Sequence, residues 1–408
     1  MPAVQADLDH AATTPPRPEA LEVLERWIGS ANASARHLPG QAARRAVEHA
    51  REQAATALGC SPHDVIFTSG GTEADNLAIK GIVWAARARA DGRPVHVVTT
   101  AVEHSAVLEP ARWLAARGEI ELDVVAPMTD GRVDVDDVLA RVRDGSDGRA
   151  PTVLVSVMGA NNEIGAINDV ARLGAALRAR GVAFHVDAVQ CVATLDVSLA
   201  GWEADALAVS AHKVGGPQGV GVAVLRRGLA IEPVTHGGGQ DRGLRSGTFA
   251  VGLIAACGVA LERAVTERAA LRERLGELSD RLAAGLAPVE GVRRSGPTAA
   301  ADRLASHVHV TIDGVDGEAL ALGLDVAGVS ASAGSACSSG AAAASHVVDA
   351  CGLDGTPLRL SLGWSTTRAE VDRAIAVLRD LVPRLRAGGD AFGLTSLVAD
   401  GGAHGGGR

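Results

Sequence analysis

The chain has 408 residues, 47% of them hydrophobic, which is enough to bury a large core and, at usual domain sizes, to form about two domains. Its formal net charge of −9, with no continuous basic stripe, argues against non-specific nucleic-acid binding. No apolar run reaches membrane-spanning length and residues 1–7 lack the regions of a signal peptide, so a cytoplasmic protein with no membrane partner is expected.

Aromatic residues make up only 2% of the chain and tyrosine is absent, so Ala, Val and Leu must fill the core and pack helices closely on sheets. Between residues 64 and 260, short β-branched runs alternate with Ala/Arg-rich helical ones. The pattern predicts a strand over 64–68, a helix opening at Ser69-Gly70-Gly71-Thr72-Glu73 and running through Lys80, a strand over 95–99 and a helix over 105–117. Strands over 153–157 and 183–187 flank a helix over 170–180, and strands over 206–210 and 221–225 complete the set. Such alternation with short loops predicts a mainly parallel α/β sheet with helices on both faces.

A long helix over 253–286 then leads into a different unit. There, 307–312 alternates like a half-buried strand and 370–385 forms an amphipathic closing helix, which predicts a smaller α+β domain. The expected division is an N-terminal arm over 1–15 packing with the small domain, a large domain over 16–262 and a small domain over 263–388. The Gly-rich tail 389–408 is expected to be disordered. Five cysteines, odd in number and without a CxxC pair, suggest neither a disulfide framework nor a zinc site, and no metal is expected.

Only two lysines occur, Lys80 and Lys213, and arginine supplies the rest of the 39 basic residues. A lysine kept against that bias suggests chemistry that arginine cannot do, such as forming an imine. Lys213 has the better setting, where the apolar strand ending in Ser210-Ala211-His212-Lys213 meets a Gly/Pro turn. Lys80 sits in a helical stretch and reads as a solvated or capping residue.

Other candidates fall at the carboxyl ends of predicted strands, where open α/β sheets bind ligands. Ser69-Gly70-Gly71-Thr72 offers helix N–H groups to an anion, or is simply a tight turn. Asp187 ends an apolar strand and should face a cation; a pyridinium nitrogen, a helix N-cap role or an ion pair would each serve. His104 either stacks on a planar ligand or is a satisfied core histidine, and Ser210 and His212 could bond a phosphate. Together these are the minimum set for pyridoxal phosphate.

Cys337 lies in a run of small residues from Ser330 to Ala344 that reads as a mobile loop, 330–344, whereas Cys191 and Cys257 read as buried structural cysteines and Cys60 and Cys351 carry no assigned role. Arg359, a charge within an apolar strand, needs an anionic partner: a substrate carboxylate or an internal Asp or Glu.

These residues resemble the NifS/IscS-like cysteine desulfurases, the class V branch of fold-type I pyridoxal-phosphate enzymes. The likeness runs from Leu8-Asp9-His10-Ala11-Ala12-Thr13-Thr14-Pro15 to about residue 385. It is carried by Thr68-Ser69-Gly70-Gly71-Thr72-Glu73-Ala74-Asp75-Asn76, Glu103-His104, Asn161-Asn162-Glu163-Ile164-Gly165, Val186-Asp187-Ala188-Val189-Gln190, Ser210-Ala211-His212-Lys213, Gly237-Gly238-Gly239-Gln240 with Arg245-Ser246-Gly247-Thr248, and Gly334-Ser335-Ala336-Cys337.

The resemblance implies an imine at Lys213, stacking by His104, Asp187 on the ring nitrogen and Gln190 on the phenolic oxygen. Gly71, Thr72, Ser210 and His212 would bind the phosphate with Thr248 of the partner subunit, and Asn161 would also contact the cofactor. Asn161, Arg359 and Asn32 would bind L-cysteine, and Cys337 would become a persulfide. The implied assembly is a homodimer that hands sulfur to an acceptor protein, for iron–sulfur cluster assembly or thio-modification. The sequence departs from the family at Ala33, where proline is frequent, at Gly159, and in the Gly/Ala-rich stretch after Cys337. A selenocysteine lyase or a class V aminotransferase would share the fold; the latter does not need Cys337. Intact Lys213, Asp187, His104 and Arg359 argue against a non-catalytic scaffold.

Overall fold

The structure, a computed structural model, describes residues 6–333 and 345–388. Seven strands form the main sheet: β1 (Val65–Thr68), β2 (Val95–Thr100), β3 (Ile120–Val125), β4 (Thr152–Ser156), β5 (Ala183–Asp187), β6 (Ala206–Ser210) and β7 (Gly221–Leu225). They lie in the order β1-β7-β6-β5-β4-β2-β3. From β6 to β3 all pairings are parallel, while β7 runs antiparallel to both β6 and β1.

Every residue of β1, β2, β6 and β7 is buried because helices cover both faces, so these strands are buried along their whole length rather than at alternate residues. Successive residues still point to opposite sides: Val97, Leu154 and Ala208 join one core, and Val98, Val155 and Val209 the other. Helices α2 (Gly71–Arg89) and α3 (Ser105–Ala116) cover the first side through Leu77, Ile82, Val107 and Leu114. Helices α1 (Leu38–Ala57) and α4 (Val170–Arg180) cover the second through Val47, Ala54, Leu173 and Leu177.

The 36-residue helix α5 (Val251–Leu286), about 54 Å long at the usual rise, belongs to two cores. Ile254, Cys257 and Leu261 pack under the main sheet, and Leu271, Leu275, Leu278 and Leu282 pack in a separate cluster. That second cluster lies on an antiparallel sheet of β8 (Val292–Ser295), β9 (His307–Ile312), β10 (Ser332–Ala333) and β11 (Thr356–Ser361), in the order β10-β11-β9-β8. Helix α6 (Arg368–Arg386) closes it, started by a capping box between Thr367 and Glu370. Ala6 and Leu8, both 0% exposed, belong to the same cluster, and the strand Ala6–Asp7 pairs parallel with Val329–Ser330.

β9 departs from the half-buried expectation, since all six of its residues are buried. Its polar face, with His307 and His309, packs inward; a Cβ on Gly165 would come within 2.6 Å of His307 Cβ, so the main unit's loop covers that face. The edge strand β3 and helix α1 have no counterpart in the sequence-based expectation. Among the described residues no helix is long and apolar enough to cross a membrane. The tail 389–408 lies outside the described residues.

Candidate active site

The carboxyl ends of β1, β5 and β6 and the loop after β2 converge on one cavity of about 300 Å³. Strand β6 ends in Ser210 and passes through a single 3-10 turn, Ala211–Lys213, which aims Lys213 into the cavity. Lys213 Nζ donates to the carbonyl oxygens of Ala11 and, at 2.8 Å, Ala12. The N-terminal segment therefore lies across the site, and Gln190 Nε2 also donates to Ala11 O, at 3.1 Å.

Helix α2 starts at the cavity wall, with Gly71 and Thr72 lining it. A Cβ on Gly71 would stand 2.7 Å from Val189 Cγ2, so only glycine lets the helix start approach so closely. The free N–H groups of this first turn face the same space as Ser210 and His212. Burial, and then the Lys213 charge, push His212 down to about 4, so its ring is neutral, and its Nδ1 lies 3.1 Å from Thr13 Oγ1.

Asp187 is 5% exposed at the end of β5, where one carboxylate oxygen accepts the Val189 N–H at 2.9 Å. Burial raises its pKa, against the pull of His104 and Lys213. His104 caps α3: its Nδ1 accepts the Ala106 N–H at 3.1 Å, which leaves Nε2 as the protonated nitrogen of a neutral ring. Burial lowers the His104 pKa, and neutrality suits a stacking surface.

Arg359, on β11, is 4% exposed and reaches the cavity from the second sheet. Its Nη2 donates to Asp9 Oδ1 at 2.7 Å and to Ser332 Oγ at 2.8 Å, and its Nη1 donates to the Asn162 carbonyl at 3.1 Å. Its Nε is buried with no hydrogen-bond partner among the described residues. An internal carboxylate thus holds one side of the guanidinium while another N–H stays unused.

The structure brings Gly71, Thr72, His104, Asp187, Gln190, Ser210, His212, Lys213 and Arg359 to one cavity. Asn161 is spent on backbone instead: its Nδ2 donates to Val102 O and its Oδ1 accepts the N–H groups of Glu163 and Ile164, while the neighbouring Asn162 lines the cavity. Asn32 lies in the loop before α1, where its Oδ1 accepts the Ser34 N–H. Thr248 is exposed on the loop before α5, apart from this chain's cavity wall. Cys337 lies outside the described residues.

Lys80 is not simply solvated, because its Nζ stands 4.9 Å from the Trp113 ring centroid. Sequence reasoning missed Asp75, 1% exposed on the cavity wall, and the carbonyls of Ala11 and Ala12. Asp75 left a legible trace, one helical turn after Gly71 on a face that is otherwise apolar; a backbone carbonyl leaves none.

The donor set fits pyridoxal phosphate. A helix start with a hydroxyl and a neutral imidazole suits a phosphate, and a buried carboxylate whose charge burial opposes suits a pyridinium nitrogen. A primary amine stands between them, and the volume holds a ring of that size.

The Aminotransferase class-V family profile matches residues 7–374. An IscS-like cysteine desulfurase of Mycobacterium tuberculosis is 43% identical over 396 residues, covering 93% of this chain and 97% of that protein. A solved NifS-like protein superposes with a TM-score of 0.84 at 31% identity, over 93% of this chain and all of that one. The structure of SspA in complex with cysteine gives a TM-score of 0.75 at 29% identity, over 89% of this chain and all of that one.

Proposed function

The chain belongs to the class-V aminotransferase family, and we infer that within it the protein is a cysteine desulfurase that converts L-cysteine to L-alanine. The observation that carries the reading is a single cavity uniting the Lys213 amine, the Asp187 carboxylate and the buried Arg359 guanidinium. These are the groups needed to hold a cofactor ring, an amino acid and a proton. Pyridoxal phosphate, when bound, supplies an electron sink for the bond between Cα and its hydrogen.

The chain's own residues do the rest. The first turn of α2, Ser210 and His212 hold the phosphate through hydrogen bonds and the helix dipole. Asp187 keeps the ring nitrogen protonated, because a cation opposite it relieves the cost of its burial. His104 packs on the ring and is placed to carry a proton. Arg359 fixes the substrate carboxylate, which orients Cα–H toward Lys213 Nζ, the general base. The Cys337 thiolate then attacks the substrate sulfur: an S–S bond forms, the Cβ–S bond breaks with its electron pair going to Cβ, Cβ takes up the proton given up by the substrate thiol, and Lys213 returns the proton to Cα, which gives alanine. The resulting persulfide passes its sulfur to an acceptor protein. A cytoplasmic homodimer in which Thr248 reaches the partner's phosphate site completes the proposal.

The test is to supply the holoprotein with L-cysteine and a thiol reductant and to measure alanine and sulfide together. Equal amounts of both are expected. In Cys337→Ser, L-cysteine should still bind and perturb the cofactor absorbance while little alanine is released, since a hydroxyl is a poor nucleophile toward sulfur. Amino-group transfer to a 2-oxo acid without sulfide would reassign the activity to an aminotransferase.

A further inference from the structure

The pairing of Arg359 with Asp9 bears on how the site reads a carboxylate. Arg359 is almost wholly buried, and the partner of its charge is a residue 350 positions earlier in the chain, on the N-terminal segment. Asp9 Oδ1 accepts twice, from Arg359 Nη2 and, at 3.1 Å, from Ser332 Oγ; Ser332 Oγ in turn accepts from Arg359 Nη2. The three groups form a closed triangle. Both hydrogens of Nη2 are committed in it, and one of Nη1 goes to Asn162 O, while the Nε hydrogen has no partner among the described residues. A guanidinium binds a carboxylate best through two parallel N–H groups, and here the side-on pair is half taken.

We propose that Asp9 is a resident counter-carboxylate of Arg359, which competes with the carboxylate of substrate and product and so weakens the binding of both. This rests on the reading of Arg359 as the group that binds the substrate carboxylate. In a site without Asp9, a buried guanidinium would have the ligand as its sole counter-ion and would hold both cysteine and alanine more tightly. With Asp9 present the charge is already balanced, the ligand shares rather than supplies the neutralisation, and alanine leaves. Asp9 is a positioning residue, because it acts on the ligand through Arg359.

The test compares the holoprotein with Asp9→Asn, which keeps an oxygen acceptor for Nη2 and Ser332 but removes the charge. Calorimetric titration with L-alanine should show affinity raised by about a hundredfold, the scale set by removing one unit charge about 6 Å from the ligand carboxylate at an effective dielectric constant near 20. KM for L-cysteine should fall in parallel, with kcat unchanged or lower as product release slows. Cysteamine, which lacks the carboxylate, should bind both proteins alike.

Unchanged or weaker L-alanine binding in a folded Asp9→Asn protein overturns the proposal. Asp9→Ser serves as a second neutral variant, and failure of both to fold also overturns it, since Asp9 would then be a structural counter-ion. Arg359→Lys separates the underlying reading: if it leaves L-alanine affinity untouched, the assignment of Arg359 fails, whatever Asp9→Asn does.

Discussion

Asp75 Oδ1 lies 3.3 Å from His185 Nε2, with both side chains at most 1% exposed. His185 continues the contact to Ser156 Oγ, 2.9 Å from its Nδ1. Burial pushes His185 down to about 3 and holds the Asp75 carboxyl well above its usual range, with Asp187 and Glu103 adding to the effect, so the pair is neutral. A neutral acid is closely mimicked by an amide. Asp75 Oδ1 and His185 Nε2 meet without hydrogen-bond geometry, so Asp75→Asn should change unfolding stability by less than about 1 kcal/mol, whereas Asp75→Ala, which leaves a void against a buried polar ring nitrogen, should cost about 1–3 kcal/mol. Urea denaturation of the three proteins checks this; equal losses in both variants would mean that Asp75 is ionised.

Glu103 gives a pH signature. It is fully buried, with one carboxyl oxygen accepting from Thr100 Oγ1 and the Met158 N–H and the other without a partner among the described residues. Burial pushes it up to about 8, from an ordinary 4.5. Between those values the folded state binds a proton that the unfolded state has lost. Its contribution is therefore complete below pH 4.5 and declines as the pH rises toward 8, by at most about 1.4 kcal/mol per unit. Glu103→Gln should remove this slope, so its stability relative to wild type should improve steadily from pH 5 to pH 8. Parallel pH dependences by urea midpoint would contradict it.

The two lysines should separate cleanly. Lys213→Ala should lose both the visible absorbance of the bound cofactor and all turnover. Lys80→Ala should keep both and lose only its packing over Trp113, about 0.5–1 kcal/mol. A coloured, active Lys213→Ala protein would end the assignment.

Thr248 is exposed on its own chain, and the proposed homodimer would use it at the neighbour's phosphate site. A two-fold contact repeats itself, so each site would borrow one Thr248. Subunit exchange between Lys213→Ala and Thr248→Ala parents should then yield hybrids with one site carrying both defects and one carrying neither. Activity above the mean of the parents is expected; a value equal to that mean would place Thr248 in its own subunit's site.

The main sheet was legible because its strands are short, apolar and separated by helices with clear periodicity: 183–187, 206–210 and 221–225 match the observed bounds residue for residue. β3 was not, because Ile-Glu-Leu-Asp-Val-Val at a sheet edge carries too many charges to read as a buried strand. The residues gathered in the cavity could be inferred where strand ends supply them, as with Asp187, Ser210 and Lys213. Asn161 shows what spacing does not announce: its amide bonds the Val102 carbonyl and the N–H groups of Glu163 and Ile164, which fixes the loop beside the cavity. Arg359 announces its need for an anion by lying in an apolar strand, but Asp9 looks like an ordinary charge until the fold closes the 350 residues between them.

That closure sets an order of events during synthesis. Ala6, Leu8 and Asp9 leave the ribosome long before the strand, sheet and helix that receive them, which lie more than 300 residues later in the chain. At usual translation rates the interval between Asp9 and Arg359 is roughly 20–70 s. In that interval the main sheet and the first half of α5 have all their partners, whereas the carbonyls that receive Lys213 and the carboxylate that receives Arg359 have nothing to anchor them. The nascent protein can hold a finished sheet long before it holds a finished site, and a ribosome that stalls before β11 releases a chain in which Leu8 and Asp9 lack the strand that receives them.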